Sequence, residues 1–400
     1  MTGPDSWHRA LADLLAGSHR LPPDELPAAV NAALQKLGVT VTIYLVDAEQ
    51  CQLRPLPDPD HPLPDPLPID STLAGRAFTH LEIHVAHGQP PRLWVPVVNG
   101  TERLGLLDVR PPPGVDPHDE SVHEGCRLIA GLLGHLITSK SVYGDNLRRA
   151  ARSQNMAVSA ELLWQLLPPL TFATRTTVVS ALLEPCYEVG GDAFDYALDD
   201  GVNFVAILDG VGHGLPAVLT TSVALAAMRA ARRAGEDLLG MAHAVDRAIR
   251  SQWDDARFVT AVLARFDTYR GLLRYINAGH PRPLLLRQGR AVRVMTGGRR
   301  LPLGLPDARS DVGEIRLQPG DRLLLHTDGV TEARNAKGEM FELSHLADLA
   351  ARHIGSRLPA AETLRRLGHA VADHQDGPLR DDATLLLVEW SPAAAADMQP

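Results

Sequence analysis

The chain has 400 residues, with 48 Asp plus Glu against 39 Lys plus Arg (net charge −9), 45% hydrophobic residues, 31 Pro and 3 Cys. That composition excludes a collagenous, wholly disordered or disulfide-stapled protein, and at roughly 100–200 residues per domain it predicts two or three domains. Cys51, Cys126 and Cys186 are odd in number and far apart, which predicts neither a disulfide framework nor a cysteine zinc site and fits a reducing compartment. The opening MTGPDSWHRA has no basic region followed by an apolar core. No stretch reads as the roughly 18 uncharged apolar residues of a span, so a cytoplasmic protein without a membrane span is expected. Acids against bases number 17 to 10 over residues 1–140, 2 to 4 over 141–180 and 29 to 25 over 181–400. The small basic excess of the middle segment fits a solvated helix face, so no nucleic-acid partner is expected.

Residues 7–37 place Leu11, Leu14, Leu15, Val30, Ala33, Leu34 and Leu37 at helical spacing, and GVTVTIYLVD at 38–47 switches to a strand-like run. The segment 55–68, PLPDPDHPLPDPLP, carries seven prolines in fourteen residues and must be an extended surface loop. RLWVPVVN, Gly100 and RLGLLDV predict a hairpin over 92–109, followed by a helix over 119–139. Together these form an α+β unit over residues 1–140. Residues 141–170 read as a helical connector whose stripe of Leu147, Ala151, Val158, Leu162 and Leu166 is interrupted near Gln154 and Asn155; a packed connector and a dimerising coiled coil both remain open. From 171 to 390, short β-branched or leucine-rich runs alternate with helical patterns at 215–234, 237–252 and 342–373. Strands outnumber helices, which predicts sheets flanked by helices and not βαβ units. Residues 391–400 read as a disordered tail.

The acids fall at the ends of the apolar runs. Asp209 and Gly210 follow FVAIL, Asp328 and Gly329 follow RLLLHT, Asp381 and Asp382 precede ATLLLVEW, and Asp192 follows Gly190 and Gly191. A lone Asp-Gly is usually a turn. Four carboxylates at the ends of buried strands each need a cation, a metal or a turn N–H as partner. Hard oxygen donors without matching Cys or His favour Mg²⁺ or Mn²⁺, and a pair of such ions can activate water against phosphorus.

EVGGDAFDY (188–196), DGVGHG (209–214), FVTA (258–261), NAGHP (277–281), PLG (302–304), TDGVTEA (327–333) and RDDAT (380–384) resemble, in order, the motif set of the metal-dependent protein serine/threonine phosphatases. This is the PPM or type 2C family, and the match is to its SpoIIE-like branch over about residues 165–390. The resemblance implies an α+β fold with a C-terminal two-sheet antiparallel β-sandwich flanked by helices. It implies two divalent ions, Mn²⁺ or Mg²⁺, held by Asp192, Asp209 as the bridging carboxylate, the Gly210 carbonyl, Asp328 and Asp381. Asp382 stands as a supporting residue. Direct attack of metal hydroxide on a phosphoserine or phosphothreonine follows, and the implied partner is a phosphorylated anti-sigma-factor antagonist.

His213 and His280 are candidates to protonate the leaving oxygen, although tight turns also use imidazole to bond carbonyls; Asn277 reads as a turn residue, and no arginine corresponds to the phosphate-gripping one of eukaryotic relatives. Residues 1–140 resemble a GAF-type sensory domain through TIYLVD, IDSTLAGRAF and LWVPVVNGTERLGLLDV, which implies a small-molecule ligand or homodimerisation. His84, His87 and Cys51 lack a spacing that specifies haem or metal. Two other readings stay open: a non-catalytic module that binds the partner without hydrolysis, and a phosphoesterase acting on a small molecule. Retention of all four acids favours an enzyme.

Overall fold

The structure, a computed structural model, describes residues 4–391 except 89, 189, 200, 288–289, 356–357, 376–378 and 380. The expected tail, 391–400, lies outside the described residues apart from Ser391. The chain divides into two compact units, residues 1–154 and 155–396. The connector expected at 141–170 is thereby shared between them.

The first unit runs α1 (Pro4–Ser18), α2 (Leu26–Leu34), β1 (Thr40–Val46), β2 (Gln52–Pro55), β3 (Leu67–Pro68), α3 (Leu73–His80), β4 (His84–Ala86), β5 (Arg92–Asn99), β6 (Glu102–Arg110), α4 (Glu120–Lys140) and α5 (Asn146–Ala150). The helical pattern over 7–37 is two helices because Pro22 and Pro23 interrupt the ladder between them. The strands make one sheet in the order β3-β2-β1-β6-β5-β4, with every pairing antiparallel. Strand alternation separates two cores. Ile43, Leu45, Val95 and Leu107 pack with Trp7, Leu14, Val30, Ile129 and Leu133 of α1, α2 and α4, whereas Tyr44, Trp94 and Leu106 pack with Ala77 and Phe78 of α3.

The second unit runs α6 (Val158–Leu166), β7 (Thr171–Ala173), β8 (Thr177–Glu184), β9 (Asp192–Asp199), β10 (Val202–Gly210), α7 (Gly214–Arg233), α8 (Leu238–Gln252), β11 (Val259–Asp267), β12 (Leu272–Ala278), β13 (Leu284–Arg287), β14 (Arg290–Val294), β15 (Arg299–Arg300), β16 (Gly313–Arg316), β17 (Asp321–His326), α9 (Asp328–Thr331), α10 (Leu343–Gly355), α11 (Ala360–Gln375) and β18 (Ala383–Trp390). Residues 151–157 between α5 and α6 are not helical, so no continuous helix carries a coiled-coil seam across 141–168. The single pattern expected over 342–373 is likewise two helices, α10 and α11, with Pro359 just before the second.

One sheet has the order β15-β12-β11-β10-β9 with β16 beside β12; the other has the order β14-β13-β17-β18-β8-β7. All pairings are antiparallel except β12 with β15, which is parallel. Along β10 the residues alternate between two cores. Val205 and Ile207 join Val179, Val262, Leu325 and Leu386 from both sheets. Phe204, Ala206 and Leu208 join Val218, Leu225, Met228, Met241 and Val245 of α7 and α8. Each fully buried side chain of this size stabilises the fold by about 1.5–3 kcal/mol. On the other sheet, α11 packs over β8 and β18.

Among the described residues α7 is the one helix long and apolar enough to cross a bilayer, an exception to the sequence expectation. Val218, Ala224, Leu225 and Met228 of this helix are buried in the core it shares with β9, β10 and β11, whereas Leu215 and Leu219 are exposed.

Candidate metal centre

Antiparallel register brings the first two acids together. Asp192 opens β9, Asp209 stands next to last in β10, and the two are directly opposed. Asp328 opens α9, immediately after β17 and Thr327, and Asp381 and Asp382 precede β18. Asp192 is buried, Asp209 and Asp328 are half-buried, and Asp381 is exposed.

Three of these acids are charged at a cost. Burial, then the charges of Asp328, Asp381 and Asp382, push Asp209 up to about 7. Burial, followed by Asp209 and Asp382, holds Asp192 well above the usual carboxylate range. Burial and the neighbouring Asp381 and Glu332 raise Asp328. These mutual effects place the acids within electrostatic reach of one another, and among the described residues none of the four has an arginine or lysine ion-pair partner. The other aspartate of the first motif, Asp195, differs: Arg229 and Arg232 of α7 bind its two oxygens at 2.7 and 2.6 Å. It anchors a helix and takes no part in the acid cluster.

Among the described residues no three His, Cys, Asp or Glu side chains converge as a ready-made cage. Mg²⁺ needs no such cage, because it keeps several waters and binds through one or two carboxylates. The donor set is therefore the right chemistry for a hard, partly hydrated divalent ion. It would be a poor fit for zinc, which prefers Cys and His in closed tetrahedra.

Three supports hold the acids in place. Asp382, expected as a supporting residue, accepts the backbone N–H groups of Gly190 at 2.6 Å, Gly191 at 2.6 Å and Asp192 at 3.2 Å on Oδ2. It thus ties the glycine pair before β9 to the start of β18. Thr327 donates to Asp192 Oδ2 at 2.6 Å and accepts the Thr384 N–H at 2.9 Å. Thr260 lies with Oγ1 3.4 Å from Asp209 Oδ2 and 2.8 Å from His280 Nδ1. The glycines are steric requirements: a Cβ on Gly191 would stand 2.7 Å from the Gly210 carbonyl oxygen, and one on Gly329 would collide with the Asp382 carbonyl.

Thr327 and Thr260 were missed by a reading that followed carboxylates, although TDGVTEA and FVTA contain them. A Thr327→Val variant keeps the shape and leaves the Thr384 N–H and Asp192 short of a partner. A loss of about 1–3 kcal/mol is expected, measured by denaturant unfolding, with Thr327→Ser near wild type. Equal stability of Val and wild type would refute the brace.

Of the remaining candidates, His280 is 5% exposed, and burial with His326 nearby pushes it down to about 3. It is neutral and out of solvent, not placed as a proton donor to a leaving group. Asn277 accepts the His280 N–H at 2.9 Å, the turn role expected. His213 precedes α7 and is exposed, and its side chain does not cap the helix. Arg380 of the RDDAT motif lies outside the described residues.

The sequence model of the family described as Stage II sporulation protein E (SpoIIE) matches residues 199–391. The phosphoserine phosphatase RsbU of Bacillus subtilis is 26% identical over 211 residues, 52% of this chain and 62% of that protein. The phosphoserine phosphatase RsbP of the same organism is 28% identical over 174 residues, 40% of this chain and 43% of that protein. The chain therefore spans less than two thirds of these relatives. Among solved structures, the SiaA-PP2C domain of Pseudomonas aeruginosa matches with a TM-score of 0.50 at 25% identity, over 58% of this chain and 94% of that one. The second unit is thus similar in sequence to the SpoIIE family over residues 199–391 and in fold to a PP2C domain.

Proposed function

We propose that the chain is a metal-dependent protein serine/threonine phosphatase acting on a phosphorylated regulatory protein of the anti-sigma-factor antagonist kind. The observation that carries this reading is the cluster of Asp192, Asp209, Asp328 and Asp381, in which burial and neighbouring acids raise Asp192, Asp209 and Asp328 and none of the four has a cationic partner among the described residues. In this reading Asp192, Asp209, the Gly210 carbonyl, Asp328 and Asp381 would together hold the two ions. Two bound Mn²⁺ or Mg²⁺ ions would supply Lewis-acid charge to the phosphoryl oxygens and an acidified water. The protein's part is orientation. Thr327 and Thr260 hold the Asp192 and Asp209 carboxylates and Asp382 holds the backbone before β9, while Asp209, Asp328 and Asp381 keep contact with solvent.

We further propose that residues 1–140 form a GAF-like sensory domain with a small-molecule ligand or a dimerising role, in a cytoplasmic protein. An antiparallel sheet with helices on both faces supports this.

The test is phosphate release by the full chain, with Mn²⁺, Mg²⁺ or chelator, from a phosphoserine-bearing anti-sigma-factor antagonist and from small phosphomonoesters. Metal-dependent release preferring the phosphoprotein is expected. Strong preference for a metabolite would move the assignment to a small-molecule phosphoesterase. Partner binding without release under any metal would favour the non-catalytic module.

A further inference from the structure

In the first unit β2 leaves β1 early. Their register ends with Tyr44 opposite Pro55, and the chain turns away into the proline-rich segment 55–68. The start of β1 keeps β6 on one side, with Thr40 opposite Arg110 and Thr42 opposite Asp108. Its other edge is satisfied without a strand. Asn31 accepts the Val41 N–H at 2.8 Å and donates to the Val41 carbonyl at 3.0 Å, and the Leu56 N–H donates to the Ile43 carbonyl at 2.8 Å. An added peptide strand therefore finds no unpaired backbone there. Asn31 also donates to Asp58 Oδ2 at 2.9 Å, which holds the proline segment as a wall beside β1. Wall, strand and Arg110 enclose a cavity of about 340 Å³ whose apolar lining includes Leu56, Pro62, Leu63 and Pro64.

Arg110 brings the surplus charge to this cavity. Asp108 is fully buried, and Arg92 already binds both of its oxygens. Arg110 touches Asp108 through one nitrogen, at 3.1 Å, and its side chain is 45% exposed. Two guanidinium groups thus share one carboxylate. Asp58, the acid of the lining, is turned to its own loop: its carboxylate accepts from Asn31 and from the Asp60 N–H and meets His61 Nδ1 at 3.1 Å.

We infer that this cavity binds a small organic carboxylate, with its charge on Arg110 and an apolar body of one or two rings against the proline wall. A guanidinium with free N–H groups offers a carboxylate a strong, directional pair of hydrogen bonds. The volume is at the low end for small-molecule sites, and further along the same sheet face Tyr44, Trp94 and Phe78 fill the space. The inference names the ligand class for the proposed sensory role of residues 1–140 and rests on that reading for its purpose, not for the existence of the site.

The test uses the full chain with labelled leucine methyl groups and three probes of one skeleton: 2-naphthoate, its neutral amide and 2-naphthylmethylamine. The acid should shift the Leu56 and Leu63 methyl signals and bind at least about 10-fold more tightly than the amide, the difference expected for a hydrogen bond to a charged group. Arg110→Gln, which leaves Asp108 its bond to Arg92, should abolish that preference. Leu63 is 59% exposed, and Leu63→Asp should weaken the acid more than the amide in a protein that folds as wild type. An amine that binds as tightly as the acid overturns the proposal, because Asp58 would then govern the site. Absence of these shifts with both 2-naphthoate and benzoate at millimolar concentration overturns it as well. Shifts at these methyl groups with phosphate release unchanged at saturation keep the site and overturn the sensory role.

Discussion

Replacing Asp209 by asparagine is expected to abolish metal-dependent phosphate release and to stabilise the metal-free protein above pH 7. The loss of activity should be at least about 100-fold, since removing a group that merely orients a ligand already costs 10–100-fold. The gain in stability follows from the acid's raised value of about 7. A carboxyl group raised on folding contributes fully below its unfolded value near 3.8 and loses that contribution as pH climbs through 7. Wild type in chelator should therefore be less stable than Asp209→Asn at pH 8 by on the order of 2–4 kcal/mol, and the gap should roughly halve by pH 5 and close only below about pH 4.

The difference between the two proteins is the quantity to read. His280, buried and neutral, works the other way: its contribution is present above about 6.5 and is lost as pH falls toward 3. Mn²⁺ at one thousand times its dissociation constant should reverse the order at pH 8, because only wild type gains the resulting ~4.1 kcal/mol. Calorimetric melting at both pH values checks all of this. A metal-free wild type no less stable than the variant at pH 8 would sink the electrostatic account, and undiminished activity would sink the assignment of Asp209.

The other large effect lies away from the acids. Arg300 is fully buried beside Asp246 of α8, with Nη2 at 3.1 and 2.9 Å from the two carboxylate oxygens. Asp246 also accepts the Gly304 N–H at 2.8 Å. The pair joins α8 to β15, and β15 to Ala278 of the NAGHP turn through its parallel pairing with β12. Arg300→Met would leave Asp246 charged, buried and short of its cation, at a cost of about 3–5 kcal/mol. The double variant Arg300→Met with Asp246→Leu should lose less than the single one, since apolar replacement of a buried pair is often neutral. Denaturant unfolding of both decides the matter; a single variant as stable as the double would show that the pair is not acting as an ion pair.

The legible part of this site was its set of acids. Their position at the edges of apolar runs needed only the rule that charge is costly inside, and the roles proposed for them follow the motif order. The conformation around each was harder. Asp328 begins a short helix and does not end a strand, because Thr327 leaves β17 before the acid is reached. Asp195, alike in sequence to its neighbour Asp192, is bound by two arginines from a helix more than thirty residues on. Asp246 and Arg300, 54 positions apart, carry no local pattern at all. Helix breaks near Pro22 and Pro359 were readable from proline, yet the apolar spacing ran through them.

Composition, strand-like runs and the Asp-Gly motifs were enough to determine a sheet-rich unit with carboxylates beside its strand ends, because burial preferences and turn chemistry act over a few residues. Tertiary structure alone decided which hydroxyls, amides and cations each carboxylate meets. The register of β9 against β10 sets Asp192 opposite Asp209, the approach of β18 brings Asp382 to the Gly190 and Gly191 amides, and β11 delivers Thr260. Those contacts join residues that are distant in the chain, and their energies depend on distances that no local stretch of sequence encodes.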